Sequence, residues 1–327
     1  MKKSINAIKP ISLVLFFAAV LLILVRMLHI PADLRRFHPP RLRSVATDRS
    51  VFFSVTNHCL PEISGLARSR VTLGLFWMNN DSFDPNTIIG VDTTGAVRAI
   101  VSTGGYSNRD WEDVRTFRWH DTDFLMIAET GDNLSIWPSV EVALFPEPAI
   151  DLSKALTKLT LPLVGGFNFT FPGGPRDCEA AAVDTARGEV ILVSKRKTPP
   201  VAYTVSLDHP LSLIPFQAQT LTPIPDIPPP NPTKGKRNPR IGLLGSQPTS
   251  ADISPDGLRF ALLTYRRAYI WTRKSTRDPW GPILFTAPQW VDFGELKQAE
   301  GICFSEDGKE IFVAGEGLPS PVIRVRL

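Results

Sequence analysis

Two short motifs in this chain each place an arginine beside two carboxylates. "RDWE" ends at Glu112 and "RDCE" ends at Glu179, so Asp110 and Asp177 each lie two residues before a glutamate. Residues two apart on a β-strand face the same side of the sheet. Carboxylates that face one another capture protons, pair with cations or bind a hard metal ion. Both acidic pairs are therefore candidate metal ligands.

Similar segments recur along the chain, and most of them open with glutamate. The segments are "EISGLARS", "EDVRTFRW", "EAAAVDTARG", "TSADISPDG" and "EGICFSEDG", which start at Glu62, Glu112, Glu179, Thr249 and Glu300. Two further apolar runs follow each segment, and turn signals separate the runs. Short β-rich runs between turn signals are typical of all-β proteins, and a repeat of this length is typical of a propeller blade.

The repeats predict an all-β fold, a β-propeller of five four-stranded blades. Candidate fourth strands are "AVRAIV", "KLTLPLV", "PFQAQTL" and "PILFTA", while the last repeat ends at its third strand. We expect the N-terminal strand "SVFFSV" to complete that blade and close the ring. A sixth blade between Leu207 and Pro248 is the alternative, but "PIPDIPPPNPTKGKRNPR" favours a long loop there.

In a propeller the first strand of each blade lines the central channel, so the repeated acids would converge at one end of it. The predicted metal ligands are Glu62, Asp110, Glu112, Asp177, Glu179 and Glu300. Oxygen ligands without thiols or imidazoles favour calcium over zinc. The alternative is a structural role, in which Arg109, Arg176 or backbone N–H groups satisfy the carboxylates.

Charged residues also follow the second strands, where they would lie over the same mouth. Acids on one arc and cations on another would hold a small anion; the candidates are Asp81, Asp132, Lys195, Arg196 and Arg266. Ordinary polar tips of strand pairs are the alternative.

The N-terminal sequence predicts a membrane anchor. An unbroken apolar run begins at Ile11 behind Lys2, Lys3 and Lys9. We expect a cytoplasmic region at 1–10, a transmembrane anchor or uncleaved signal at 11–30, a linker at 31–49, and the propeller at 50–327 on the extracytoplasmic side. The arginines after the span oppose that orientation under the positive-inside rule.

The overall composition limits the kinds of partner. The net charge is only +4 and no basic recognition helix or stacking motif accompanies it, so no nucleic-acid partner is predicted. Cys59, Cys178 and Cys303 have no metal-ligand spacing. Buried free thiols, one disulfide and a reactive thiol are all compatible with that number. We expect a monomeric propeller.

The ordered set "EISGLA", "DWEDV", "DCEA", "ADISPDG" and "EGICFSEDG" resembles bacterial exported β-propeller proteins, most of which have no assigned function. More remotely, the chain is similar to phytase-like propellers and to calcium-dependent propellers of the senescence-marker and paraoxonase type. The remote resemblance implies calcium held by channel carboxylates and hydrolysis of a phosphoester or lactone. The Asn and His residues of the lactonase channels have no clear counterpart here.

Two functions follow as expectations. The first is a membrane-tethered, extracytoplasmic binding or scaffold module, with a protein, glycan or small anionic ligand at an acidic, metal-capable mouth. The second is a calcium-dependent hydrolase in which Glu112 or Glu179 serves as general base.

Overall fold

The computed structural model describes residues 43–45, 48–81, 85–208, 214–229 and 244–327. Within them the chain forms five β-sheets and one short helix. The sheets follow one another along the sequence, and each is a meander whose first strand packs against the first strands of its neighbours. The predicted propeller of five blades is thereby confirmed.

Five strands lie innermost, one in each blade. They are β3 (Ile63–Arg68), β7 (Asp113–Trp119), β12 (Cys178–Asp184), β17 (Pro248–Ile253) and β21 (Ala299–Phe304). They crowd at the axis, so small residues are required. A Cβ on Gly65 would lie 2.6 Å from the Val114 nitrogen, and one on Gly301 would lie 2.6 Å from the Leu66 Cβ.

The second and third strands of the blades are those that the apolar runs predict. The second strands are β4 (Leu75–Asn80), β8 (Thr122–Glu129), β13 (Glu189–Ser194), β18 (Arg259–Thr264) and β22 (Glu310–Gly315). The third strands are β5 (Thr87–Asp92), β9 (Val140–Pro146), β14 (Val201–Ser206), β19 (Ala268–Thr272) and β23 (Ser320–Arg326). All of these neighbours pair antiparallel.

The outer strands depart from the prediction in two blades. The observed outer strands, from the first blade to the fifth, are β6 (Val97–Ser102), β11 (Gly165–Thr170), β16 (Gln219–Pro223), β20 (Gln289–Val291) and β2 (Arg49–Val55). "KLTLPLV" was expected in the second blade, but its residues contribute to β10 (Thr157–Thr160), which pairs parallel with β6 of the first blade. "PILFTA" falls mainly in and after helix α1 (Trp280–Leu284).

Two further edge strands extend the blades. β15 (Phe216–Gln217) pairs parallel with β11, so "PFQAQTL" serves two blades, its second half entering β16. β1 (Arg43–Val45) pairs parallel with β20. Edge strands have few packing constraints, and short apolar runs there carry no signal about which neighbour they join.

The ring closes as predicted. β2 pairs antiparallel with β23 and completes the fifth blade from the N-terminal side. Phe53 on β2 packs with its neighbour Phe52 against Phe76 of the first blade and Phe312 of the fifth, with ring centroids 5.0–6.2 Å apart. These aromatic contacts stabilise the interface at which the two ends of the described chain meet.

Five apolar clusters fill the interfaces between neighbouring blades. The cluster between the first and second blades contains Trp77, Trp111 and Phe145, all fully buried. Equivalent clusters lie at the other four interfaces. Burial on both faces of each sheet explains why the blade strands read as continuous apolar runs. The blades are thus held rigidly, and their innermost strands have fixed positions around the axis.

The predicted anchor at 11–30 lies outside the described residues. Among the residues that are described, no helix has the length and apolarity needed to cross a bilayer.

Candidate functional site

Carboxylates from successive blades meet at the end of the channel where the innermost strands begin. Two overlapping groups form there: Asp81, Asp110 and Glu112, and Glu112, Asp177 and Glu179. In each group one oxygen per residue lies within 4.8 Å of the others. Asp81 is half-buried and the other four residues are buried. We refer to these five residues as the acidic cluster.

A bulge at the start of the innermost strands positions Glu179 and Glu300. In four blades the pairing register shifts after the first residue of the strand, which leaves Ser64, Glu179, Thr249 and Glu300 out of the ladder. Bulges re-aim side chains and are frequent near active sites. The observed register therefore aligns Ser64 with Glu179, and Glu62 with Asp177. An alignment based on the glutamates alone pairs Glu62 with Glu179, which is two residues away from the observed register.

Glu112 lies between the two groups and belongs to both. Its backbone carbonyl accepts a hydrogen bond from the Ser64 hydroxyl at 2.8 Å, and its N–H donates to the Ala128 carbonyl at 2.9 Å. One carboxylate oxygen, Oε1, is buried and has no hydrogen-bond partner among the described residues. A Cβ at position 131 would collide with that oxygen and with Asp110, so the glycine there lets the backbone approach.

Two cations enter the cluster on one side. The Lys195 ammonium contacts Glu179 and lies 5.2 Å above the Tyr265 ring. Arg196 Nε lies 2.7 Å from Asp177 Oδ2, and Asp177 Oδ1 accepts the Asp132 N–H at 3.0 Å. Lys195 is 8% exposed, whereas Arg196 is exposed. The positive charge is therefore concentrated at the Asp177–Glu179 pair.

Burial governs the protonation of the glutamates. Desolvation, followed by repulsion from Glu179 and Asp81, raises the pKa of Glu112 well above its usual range. Desolvation raises the pKa of Glu179 to about 8 although Lys195 opposes it. Burial lowers the pKa of Lys195, but the Glu179 carboxylate outweighs it and the pKa of Lys195 lies well above its ordinary value. The cluster consequently binds protons tightly, as carboxylates lacking sufficient cations do.

Glu300 extends the acidic cluster toward the fifth blade, whereas Glu62 does not join it. Glu300 is 5% exposed, and burial followed by repulsion from Glu179 raises its pKa well above the usual range. Gln298 Nε2 donates to Glu300 Oε1 at 3.5 Å. Glu62 is exposed and belongs to neither carboxylate group.

The predicted anion ligands have different environments. The Asp132 carboxylate accepts the N–H groups of Ile136 and Trp137 at 2.8 and 3.0 Å, and so fixes the loop after β8. Arg266 is exposed on the turn between β18 and β19. Asp81, Lys195 and Arg196 are the candidates that lie at the cluster.

The two motif arginines do not act on the carboxylates of their own motifs in the contacts observed. Arg109 Nε lies 3.2 Å from Glu129, and its guanidinium lies 4.7 Å over the Trp137 ring. Arg176 donates to the Pro172 carbonyl. Cys59, Cys178 and Cys303 are free thiols, and burial raises the pKa of the last two.

A second charged feature on the channel axis was not predicted. Asp113 and Arg115 form a fully buried ion pair, which we call the axial ion pair. Arg115 Nη1 donates to the carbonyls of Leu66 and Ile302, at 3.2 and 2.6 Å, and Nη2 donates to Asp113 and to the Ser250 hydroxyl. Asp113 accepts the Ala181 N–H at 3.1 Å. These partners come from all five blades.

The alternation in "DVR" was the available signal for this pair. Residues two apart face the same side, so a strand that places one charge on the axis must place the other there too. The pair follows the acidic cluster along the chain, since Asp113 is the first residue of β7 and Glu112 immediately precedes it.

Comparisons with known proteins show no family for this chain. No family model matches the chain, and no curated protein matches it. Among solved structures it is similar to the Pan2 WD40 domain of Neurospora crassa, with 7% identity and a TM-score of 0.34. The alignment covers 83% of this chain and 64% of that one, so the chain spans less than two thirds of that structure's length.

Proposed function

We propose that this propeller is a binding module that holds a hard divalent cation, calcium in the first place, in the acidic cluster. The observation that carries the proposal is Glu112 Oε1, a buried carboxylate oxygen with no hydrogen-bond partner among the described residues. Leaving a buried polar atom unsatisfied costs about 1–3 kcal/mol, and more for a charged one. A cation bound at Glu112 would remove that cost.

The donor set supports calcium over transition metals. All five residues of the cluster offer carboxylate oxygens, and Ca²⁺ takes six to eight oxygen ligands in flexible geometry. Asp81, Asp110 and Glu112 would be the principal ligands, since Lys195 and Arg196 already neutralise the Asp177–Glu179 side.

Apolar side chains beside the cluster support a role in binding a partner. Leu134, Ile136 and Trp137 are 77%, 60% and 38% exposed in the loop after β8. Asp132 fixes that loop, and its N–H bonds Asp177 of the cluster. We propose that a protein or glycan partner docks on these side chains over the acidic mouth.

We also propose that the N-terminal apolar run tethers the propeller to a membrane. A carbonate-resistant membrane fraction would test the tether.

Calcium binding is tested by thermal unfolding of chelator-treated protein. A ligand present at a hundred times its Kd stabilises the fold by about 2.7 kcal/mol, which corresponds to a rise in Tm on the order of 5 °C. We expect calcium to raise the Tm of the wild type, and we expect Glu112→Gln to abolish the rise.

A matched control separates the site from general charge effects. Glu306 is exposed and follows the C-terminal end of β21, whereas the cluster lies where the innermost strands begin, so Glu306→Gln should retain the full calcium response. Metal-free Glu112→Gln should also be more stable than wild type at pH 8, because it removes a buried charge. An equal calcium response in Glu112→Gln and wild type would refute the proposed site.

Hydrolysis is assayed on the same samples. The hydrolase hypothesis would be favoured over the binding module if the protein turns over a phosphoester or a lactone in the presence of calcium. In that case Glu112→Gln and Glu179→Gln should abolish the turnover while folding stays intact. Calcium stabilisation without turnover of either substrate class supports the binding module.

A further inference from the structure

The channel has a second mouth at the C-terminal ends of the innermost strands. A pocket opens there, and an adjoining pocket shares part of its lining. Residues of all five innermost strands or the turns after them contribute, including Thr116, Val183, Ile253 and Phe304. The axial ion pair lies between this mouth and the acidic cluster, so the two mouths are separate sites.

Arginines dominate the charge of this second mouth. Four of them line the two pockets: Arg68, Arg70, Arg115 and Arg118. We refer to these four residues as the arginine pocket.

The acids near the pocket already serve several donors. Asp184 is held by both Nη atoms of Arg273, at 2.6 and 3.0 Å. Asp123 accepts from both Arg70 and Arg118, at 3.1 and 3.0 Å. Asp252 accepts the Phe304 N–H at 2.8 Å and lies 3.8 Å from Arg115. Arg68 also lies 3.9 Å from Glu306, and Arg118 lies 3.5 Å from Asp121. Among the side chains that line the two pockets themselves, these four arginines face two carboxylates, Asp184 and Asp252.

Arg115 supplies the independent indication of a ligand. Its two Nη atoms are engaged in the axial ion pair, but its Nε–H is buried and has no hydrogen-bond partner among the described residues. Arg115 also lines both pockets and is 2% exposed. A buried charged donor without an acceptor calls for an ion or an ordered water. An acceptor at the base of the pocket would satisfy it.

We infer that the arginine pocket binds a small oxyanion, a phosphate or a carboxylate group, between Arg70 and Arg118 and above Arg115. Guanidinium groups present paired N–H donors that match the oxygens of either anion. The side chains of Arg70, which follows β3, and of Arg118 on β7 are one-third and one-half exposed, so both can turn toward a ligand while the strands stay folded.

Isothermal titration of chelator-treated protein with inorganic phosphate, and separately with acetate, tests the inference. We expect one anion per chain for at least one of the two. Arg70→Gln and Arg118→Gln should each weaken binding by about tenfold, which corresponds to about 1.4 kcal/mol. Tighter binding of phosphate would identify a phosphoryl ligand, and tighter binding of acetate would identify a carboxylate ligand; either supports the oxyanion site.

Arg326→Gln is the matched control, since it removes the same charge from an exposed side chain on β23. The control should change the affinity less than about twofold. Absence of binding to both anions by the wild type, or equal weakening by the control and the two pocket variants, would overturn the inference. Thermal unfolding of each variant verifies that it is folded.

Discussion

Two neighbouring residues, Glu112 and Asp113, are buried in the same channel and have opposite electrostatic environments. Asp113 contacts Arg115, and partners from all five blades complete the network around the pair. Glu112 lies among other carboxylates and keeps one oxygen without a hydrogen-bond partner among the described residues. Asp113 therefore helps to hold the ring of blades together, whereas the carboxylate of Glu112 is available to a ligand.

Their positions relative to β7 explain how adjacent residues acquire such different roles, because Glu112 immediately precedes the strand and Asp113 is its first residue. Innermost strands bring small residues and backbone groups close to the axis, where one arginine can reach several carbonyls. The positions immediately before them project toward the open mouth, where carboxylates from different blades meet without enough cations. Buried charges stabilise a fold only when they are paired and hydrogen-bonded.

Removal of Arg115 should produce the largest effect. Arg115→Met leaves Asp113 as an uncompensated buried charge and the Leu66 and Ile302 carbonyls without their donor. Breaking a buried ion pair from one side costs about 3–5 kcal/mol. Urea unfolding at pH 7 should show this loss, whereas Glu112→Gln should be neutral or stabilising. Similar losses in the two variants would erase the distinction between the axial ion pair and the acidic cluster.

The pH dependence of stability should be the next largest effect. The pKa of Glu179 is raised to about 8 in the fold from an ordinary 4.5, so the folded state binds the proton more tightly. Its stabilising contribution is complete below pH 4.5 and is lost as the pH rises through 8. Glu112 and Glu300 act in the same direction, because burial raises the pKa of both well above the usual range. Lys195 stays charged throughout this range, since its pKa lies well above its ordinary value.

Metal-free protein should therefore lose stability between pH 5 and 8, by on the order of a few kcal/mol. The calcium-induced rise in Tm should grow over the same range, because calcium competes with protons for the cluster. Asp113, whose pKa burial raises to about 7, also contributes to the slope. Glu179→Gln isolates the cluster, since it leaves Asp113 in place. An unchanged slope in that variant would show that Glu179 does not contribute to the pH dependence.

The smallest effect should come from Lys195, which competes with a bound cation for Glu179. Lys195→Met removes one positive charge beside the cluster. We expect calcium to bind about tenfold more tightly, equal to about 1.4 kcal/mol. Isothermal titration measures the affinity, and Lys274→Met on the exposed turn after β19 serves as the charge-matched control. Weaker calcium binding by the Lys195 variant would instead indicate that the Lys195 ammonium supports the structure of the site.

The candidate site was predictable where a residue's own motif carried the information. The "RDWE" and "RDCE" spacing placed Asp110, Glu112, Asp177 and Glu179 together, and the structure brings these four residues into contact groups. Glu62 was grouped with the strand-start glutamates because residue type alone guided the alignment. The observed register places Ser64, two residues later, in the position that Glu179 occupies in the third blade, and no local pattern indicates that shift.

The sequence by itself determined the number of blades and the closing strand. Apolar runs, turn signals and the "SVFFSV" strand are local patterns, and local patterns persist in the fold because every blade must bury the same faces. Only the tertiary structure decided that Arg115 would span five blades, that "KLTLPLV" would join the first blade, and that "PILFTA" would enter a helix. Those outcomes depend on contacts between residues far apart along the chain, and no short segment contains them.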